Sequence, residues 1–121
     1  MVLQVVDKEF SIFKVKEISA DFLRNEFTFI SITDQELSVI SPSQFVPDNV
    51  LQVESGWKCL RIAEDASFEK YGMIAFLANI ISAQKTSTLV VGTYDTDYLF
   101  IKAEKFEQVI RALESNDCSF I

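Results

Sequence analysis

The clearest alternation of hydrophobic and polar positions lies in the second half of the chain. Residues 57–63 alternate as a strand does, and Lys58 and Arg61 are its predicted solvated charges. Two runs rich in β-branched and aromatic residues, 88–94 and 98–101, are joined by the short polar segment Asp95-Thr96-Asp97. Two such runs with a short polar link predict a β-hairpin.

Two helices are predicted around this hairpin. Apolar residues cover most of the circumference of the segment 68–84, and such a helix is buried on more than one side. One side of this helix packs on its own sheet. The other side must be covered either by the first half of the chain or by a second subunit. In the other helix, apolar residues recur at i, i+3, i+4 and i+7, which is typical of an amphipathic helix on a sheet. These residues are Phe106, Val109, Ile110 and Leu113.

The order of these elements defines the predicted fold. Asn116 is expected to end the second helix in the left-handed conformation, and residues 118–121 to form a last strand. The order is then β-α-β-β-α-β, which is the ferredoxin-like arrangement of the α+β class.

The first half repeats this order with shorter helices. The predicted elements are strands at 10–16, 26–33, 37–41 and 50–53, a short helix at 20–25, and a one-turn helix that begins at Ser41-Pro42. The seam between the halves is placed at Ser55-Gly56. The sequence therefore predicts two tandem units, residues 1–55 and 56–121, of which the first has shortened helices.

Composition and charge narrow the classes of partner. No apolar run reaches the roughly 18 residues that cross a bilayer, so no membrane association is expected. No signal peptide is visible, which favours a cytoplasmic location. The net charge is −7, with 18 acidic against 11 basic residues. A nucleic-acid partner is not expected, because such proteins neutralise phosphates with Lys and Arg.

The reactive side chains argue against catalysis and against a metal. The chain has no His, which is the commonest general acid or base at neutral pH. Cys59 and Cys118 are its two cysteines, their spacing fits no zinc site, and both are expected to be buried as small hydrophobes. We therefore expect no enzyme and no cofactor. An enzyme would have to use Cys59 or the hairpin carboxylates.

Three segments resemble a known family. They are Glu36-Leu37-Ser38-Val39-Ile40-Ser41-Pro42, Glu54-Ser55-Gly56-Trp57-Lys58-Cys59-Leu60-Arg61-Ile62 and Thr93-Tyr94-Asp95-Thr96-Asp97-Tyr98-Leu99. In order and spacing the chain resembles the ACT domain, and in particular the small tandem-ACT branch that contains the CASTOR-type arginine sensors. The resemblance covers roughly residues 10–121.

The resemblance implies a regulatory module that binds a small molecule, often an amino acid, at an interface between ACT units. Such units pair within a chain or between chains, so a homo-oligomer, a dimer, is expected. The family pattern places ligand contacts on Gly72, Thr93, Tyr94 and Asp97. Its arginine-binding members carry an acidic residue one turn beyond the glycine, where this chain has Ala75 or Phe76. A smaller or neutral amino acid is therefore expected instead of arginine.

Each of these features also has a purely structural interpretation. Asp and Thr are common turn residues because their side chains bond to nearby backbone, and Gly72 could simply allow two elements to pack closely. Asp95 and Asp97 lack the further ligands of a calcium-binding loop, so no metal site is expected. The alternative function is a protein-protein interaction or oligomerisation module without a ligand, which pairs through the helix 68–84.

Overall fold

A computed structural model describes residues 1–64 and 70–121. The strands are β1 (Val2–Val15), β2 (Phe29–Ile32), β3 (Leu37–Pro42), β4 (Gln52–Glu64), β5 (Thr88–Gly92), β6 (Asp97–Lys102) and β7 (Ser119–Phe120). The helices are α1 (Lys70–Ala83) and α2 (Ala103–Ser115), and single 3-10 turns occur at Ala20–Arg24 and Ser43–Phe45. The predicted first residues of the first helix, 68 and 69, lie outside the described residues.

One compact unit consists of Met1–Asp7 and Lys58–Ile121, and we call it the two-helix unit. Its strands lie in the order β7-β1-β4-β6-β5. The predicted hairpin is confirmed, because β5 and β6 pair antiparallel from Thr88 opposite Ile101 to Gly92 opposite Asp97. The predicted last strand is β7, which pairs parallel with β1. This mixed α+β arrangement confirms the predicted fold class.

Both helices of this unit pack on one hydrophobic core. The buried side chains of α1 follow one another every four residues, and those of α2 follow the predicted spacing. They are Met73, Leu77 and Ile81 on α1, and Phe106, Val109 and Leu113 on α2. Ile74, Phe76 and Ile80 on the flanks of α1 are half-buried against the same core. Contacts with α2 and β5 thus cover a large part of the apolar surface of α1.

Residues Lys8–Trp57 form the second compact unit, which we call the short-helix unit. Here β1 pairs antiparallel with β3, and β3 pairs antiparallel with β2. Its core contains Phe13, Val15, Phe22 and Val39. The predicted shortening of the helices is confirmed, because 3-10 turns occupy both helical positions.

The two units contain the same hairpin, 60 residues apart. The strand β3 starts at Leu37 and β6 at Asp97, and both are six residues long. A threonine opens the turn each time, Thr33 before β3 and Thr93 before β6, and its N–H donates to the carbonyl three residues later. This correspondence supports an internal repeat. The division into domains at residues 55 and 56 stays a prediction.

Two predicted strand boundaries differ from the structure. The strand β1 begins at Val2 instead of residue 10, because β pairing continues through the polar run Asp7-Lys8-Glu9. The strand β4 runs without a break through the predicted seam at Ser55-Gly56. Gly56 has φ +84°, a conformation that glycine adopts without steric cost inside a strand.

The helix ends also differ in detail. The left-handed residue after α2 is Asp117, with φ +68°, whereas Asn116 has φ −108°. The Ser41 hydroxyl donates to the Pro42 carbonyl and caps no helix. Asn116 and Ser41 are residue types that suit these two roles. In the structure, however, Asp117 adopts the left-handed conformation, and Pro42 is the residue that precedes the 3-10 turn.

Candidate functional site

The turn between β5 and β6 is built around Thr93. The Thr93 N–H donates to the Thr96 carbonyl at 2.8 Å, and the Thr93 hydroxyl donates to the same carbonyl at 3.0 Å. The hydroxyl also accepts from the Thr96 N–H at 3.3 Å. The Thr93 side chain therefore stabilises the turn, as the structural interpretation of this residue requires. Its oxygen keeps one further acceptor position.

Thr96 attaches this turn to the end of the neighbouring strand. Its hydroxyl is half-buried and donates to the Ile62 carbonyl on β4 at 2.7 Å. The turn is therefore held against the C-terminal part of β4 in the two-helix unit. Gly72 is the third residue of α1.

Replacing Thr96 by valine is expected to destabilise the protein by about 1 kcal/mol, the usual net contribution of one hydrogen bond. Valine keeps the shape of the side chain but cannot donate to the Ile62 carbonyl. Urea unfolding gives the free energy directly. The control is Thr86→Val, whose hydroxyl makes only a 3.4 Å bond to the Ser87 carbonyl and should matter less. Equal effects of the two changes would mean that the bond to Ile62 does not hold the turn.

Asp97 and Tyr94 occupy different environments on this hairpin. Asp97 is half-buried at the start of β6, opposite Gly92. A Cβ added at Gly92 would lie 3.1 Å from the Asp97 Oδ1, so the carboxylate lies close over the glycine backbone. A glycine inside a strand is often found where another group approaches the backbone closely. Tyr94 is fully exposed at the tip, so its ring is not packed against the part of this unit that the structure describes.

Gly72 is half-buried on α1, and among the described residues a Cβ added there would meet no atom within 4 Å. No described residue therefore packs closely enough on Gly72 to require a glycine there. The assignment of Gly72, Thr93, Tyr94 and Asp97 as one ligand site stays a prediction.

The sequence did not indicate the role of Arg61. This residue was predicted to be solvated, but it is half-buried and its guanidinium donates to Gln4 Oε1 at 2.6 Å and to the Tyr98 hydroxyl at 3.3 Å. It also lies over the Tyr98 ring, 5.8 Å from the centroid. Arg61 thus links side chains of β1, β4 and β6 next to Asp97. Gln4 and Tyr98 lie 57 and 37 residues away from Arg61 in the sequence. These contacts therefore become apparent only when the order of the strands in the sheet is known.

Both cysteines are buried, as predicted. Burial raises the pKa of the Cys59 thiol to about 12, although the nearby Arg61 charge opposes the shift. Burial also raises the pKa of Cys118. A thiol is nucleophilic as its thiolate, so Cys59 is a poor candidate for catalysis. Within residues 1–64 and 70–121, no group of three or more His, Cys, Asp or Glu could hold a metal ion.

Comparison with known proteins identifies the family. The family model described as ACT domain matches residues 52–115, which is more than half of the chain, and the chain therefore belongs to the ACT domain family. No curated protein matches the sequence. None of the helices in the described part of the chain is both long enough and apolar enough to cross a membrane.

Solved structures share the fold at low sequence identity. A protein from Agrobacterium tumefaciens is similar with a TM-score of 0.88 and 24% identity, covering 99% of this chain and 91% of that one. A Vibrio cholerae protein of unknown function has a TM-score of 0.75 and 18% identity, with 94% and 88% covered. The regulatory subunit of aspartate kinase from Thermus thermophilus, in its ligand-free form, has a TM-score of 0.62 and 7% identity, with 93% and 95% covered.

These neighbours are all less than 25% identical to the chain, and they show that it shares their fold. The turn between β5 and β6 lies within the matched residues 52–115.

Proposed function

We propose that this ACT protein is a regulatory module that binds a small zwitterion, an amino acid, at Gly72, Thr93, Tyr94 and Asp97. One observation carries the proposal. The half-buried Asp97 carboxylate lies against the bare backbone of Gly92, on a turn that is tied to β4 by the 2.7 Å bond from Thr96. A positioned carboxylate beside uncovered backbone suits a ligand that carries both an ammonium group and a carboxylate.

Each residue has a distinct role in this proposal. Asp97 accepts hydrogen bonds from the ligand ammonium group. The backbone N–H groups around Tyr94 meet the ligand carboxylate, and Thr93 mainly holds the turn in place. Gly72 leaves room on the side of α1. One turn further on, Ala75 is exposed and Phe76 is half-buried, and neither can pair with a second cation. This favours an amino acid with a neutral side chain over arginine.

Binding would act on the association of ACT units. The ligand sits at the interface between units, within a chain or in a homodimer, and stabilises one packing over another by population shift. A cytoplasmic location and a dimer accompany this proposal as expectations from the sequence.

A panel of the amino acids in thermal-shift measurements tests the proposal. A ligand at 100 times its dissociation constant stabilises the folded state by about 2.7 kcal/mol, so at least one amino acid should raise the melting temperature by several degrees. Asp97→Asn should abolish that response, because it removes the charge that pairs with the ammonium group. The matched control Asp95→Asn, at an exposed position of the same turn, should keep it. A panel without any response, followed by calorimetry without heat of binding, contradicts ligand binding.

One observation favours the alternative of an interaction or oligomerisation module without a ligand. Tyr71 at the start of α1 and Tyr94 on the hairpin are 89% and 102% exposed. Tyrosine is enriched at protein interfaces, because it combines an apolar ring with a polar group. A silent ligand panel together with a stable complex that Tyr94→Ala disrupts would select this alternative.

A further inference from the structure

A groove of about 340 Å³ lies along α2 in the two-helix unit, away from the hairpin turn. Its floor is apolar and consists of Val5 on β1, Phe106 and Ile110 on α2, and Phe120 on β7. Phe106 is almost fully buried, whereas the other three are half-buried. The groove therefore offers apolar surface that the core of the unit does not cover completely.

The rim of this groove is acidic. Asp7, Glu107 and Glu114 are exposed, and Lys58 is the single basic residue that lines the groove. The rim thus carries three acidic side chains against one basic one. Carboxylates around an apolar floor attract a partner whose apolar group is flanked by positive charge.

The dimensions of the groove fit a short segment of chain. It follows α2 from Phe106 to Glu114, which are eight residues apart on the helix. At about 1.5 Å per residue this is about 12 Å, the length of three to four residues in extended conformation. On α2, Glu107 lies about one turn before Ile110 and Glu114 about one turn after it. Basic groups that pair with these two carboxylates would therefore flank an apolar side chain of the partner that packs on Ile110.

We propose that this groove binds a short extended peptide of a partner protein, in which one or two large apolar side chains are flanked by Lys or Arg. The apolar side chain packs on Ile110 and Phe120, and the basic side chains pair with Glu107 and Glu114. A second copy that docked through the same groove is a poor occupant, because its acidic rim would face this acidic rim. The surface is separate from the proposed ligand site, so the two proposals can fail independently.

Nuclear magnetic resonance titration of the ¹⁵N-labelled full chain tests this proposal. The probe is the blocked peptide Lys-Leu-Phe-Leu-Lys, and the matched peptide is Glu-Leu-Phe-Leu-Glu. We expect amide shifts to concentrate around Glu107, Ile110 and Glu114 with the basic peptide, and binding at least about tenfold weaker with the acidic one, a difference of about 1.4 kcal/mol. Raising the salt concentration from 50 to 500 mM should weaken binding of the basic peptide severalfold.

Two pairs of substitutions distinguish an effect of the groove carboxylates from an effect of the net charge of the protein. The double change Glu107→Lys and Glu114→Lys should weaken binding of the basic peptide about tenfold. The control is Glu104→Lys with Glu26→Lys, which alters the net charge equally at exposed positions that do not line the groove. Ile110→Ala should weaken binding with no change in salt dependence, because it removes only apolar contact.

Three results would overturn the proposal. The first is equal binding of the two peptides, and the second is an equal loss in the control pair. The third is a set of concentration-dependent shifts at the groove without any peptide, since these would identify a second copy of the chain as the occupant.

Discussion

Leu113→Ala is expected to lower the free energy of unfolding by about 2–5 kcal/mol, the range for removing a buried leucine side chain. Leu113 lies in the last turns of α2, is 0% exposed, and belongs to the core that both helices share with the sheet. Protein interiors are close-packed, so the truncated side chain leaves a cavity whose lining atoms lose contacts. Since a domain of this size has only about 5–15 kcal/mol of stability, this single change removes a large part of it.

The matched control is Leu23→Ala in the 3-10 turn Ala20–Arg24, where the side chain is 66% exposed. This change should stay within about 0.5 kcal/mol, as surface substitutions usually do. Urea unfolding monitored by the fluorescence of Trp57, the single tryptophan and 4% exposed, measures both variants. Similar small effects for the two leucines would show that α2 does not pack on the sheet as described.

The features that the sequence predicted correctly are those with a local physical signal. The spacing of Phe106, Val109 and Leu113 requires a helix that buries one face, and α2 buries these three residues. The β-branched and aromatic runs on either side of Asp95-Thr96-Asp97 predict a hairpin, and β5 and β6 form it. In both cases local propensity and hydrophobic pattern favour the same element, which is why the prediction succeeds.

The features that it missed depend on tertiary partners. The polar run Asp7-Lys8-Glu9 has no strand pattern of its own, yet it lies within β1, a single strand from Val2 to Val15. Arg61 alternates with apolar neighbours like a solvated charge, but Gln4 and Tyr98 lie where its guanidinium can reach them. Strand order decides such contacts, and a single sequence does not specify the strand order.

The candidate site has a different difficulty. Thr and Asp are suited both to a turn and to a ligand, so their presence in the hairpin does not separate the two uses. The hydrogen bonds assign Thr93 and Thr96 to holding the turn. Asp97 differs from them because its carboxylate lies over Gly92, and this is why the substitution Asp97→Asn is the informative test.

Cys59 in the folded protein is expected to react with a disulfide reagent at pH 8 at least about 1000-fold more slowly than in the unfolded chain. Burial raises the pKa of this thiol from 9.0 to about 12. The reactive thiolate is therefore about 1000-fold scarcer, and the side chain is also 0% exposed. The variant Cys118→Ser isolates the signal of Cys59, and the same protein in concentrated urea gives the unprotected rate.

The raised pKa also fixes the direction of the pH dependence of stability. Below pH 9 the thiol is protonated in both states and contributes nothing to the change with pH. Between pH 9 and about pH 12 the unfolded chain loses the proton first, so the free energy of unfolding falls as the pH rises through this window. The variant Cys59→Ala should show a smaller decline than the parent chain over the same interval.

Measuring the modification rate of Cys59 in the Leu113→Ala variant distinguishes protection by burial from an intrinsically slow reaction of the thiol. If modification requires unfolding, Leu113→Ala should accelerate it by the same factor by which it raises the unfolded fraction, about 30-fold to about 5000-fold for about 2–5 kcal/mol. Leu23→Ala should leave the rate nearly unchanged. Rapid modification of Cys59 in the folded parent chain at pH 8 would show an accessible thiolate, and it would make Cys59 a candidate nucleophile.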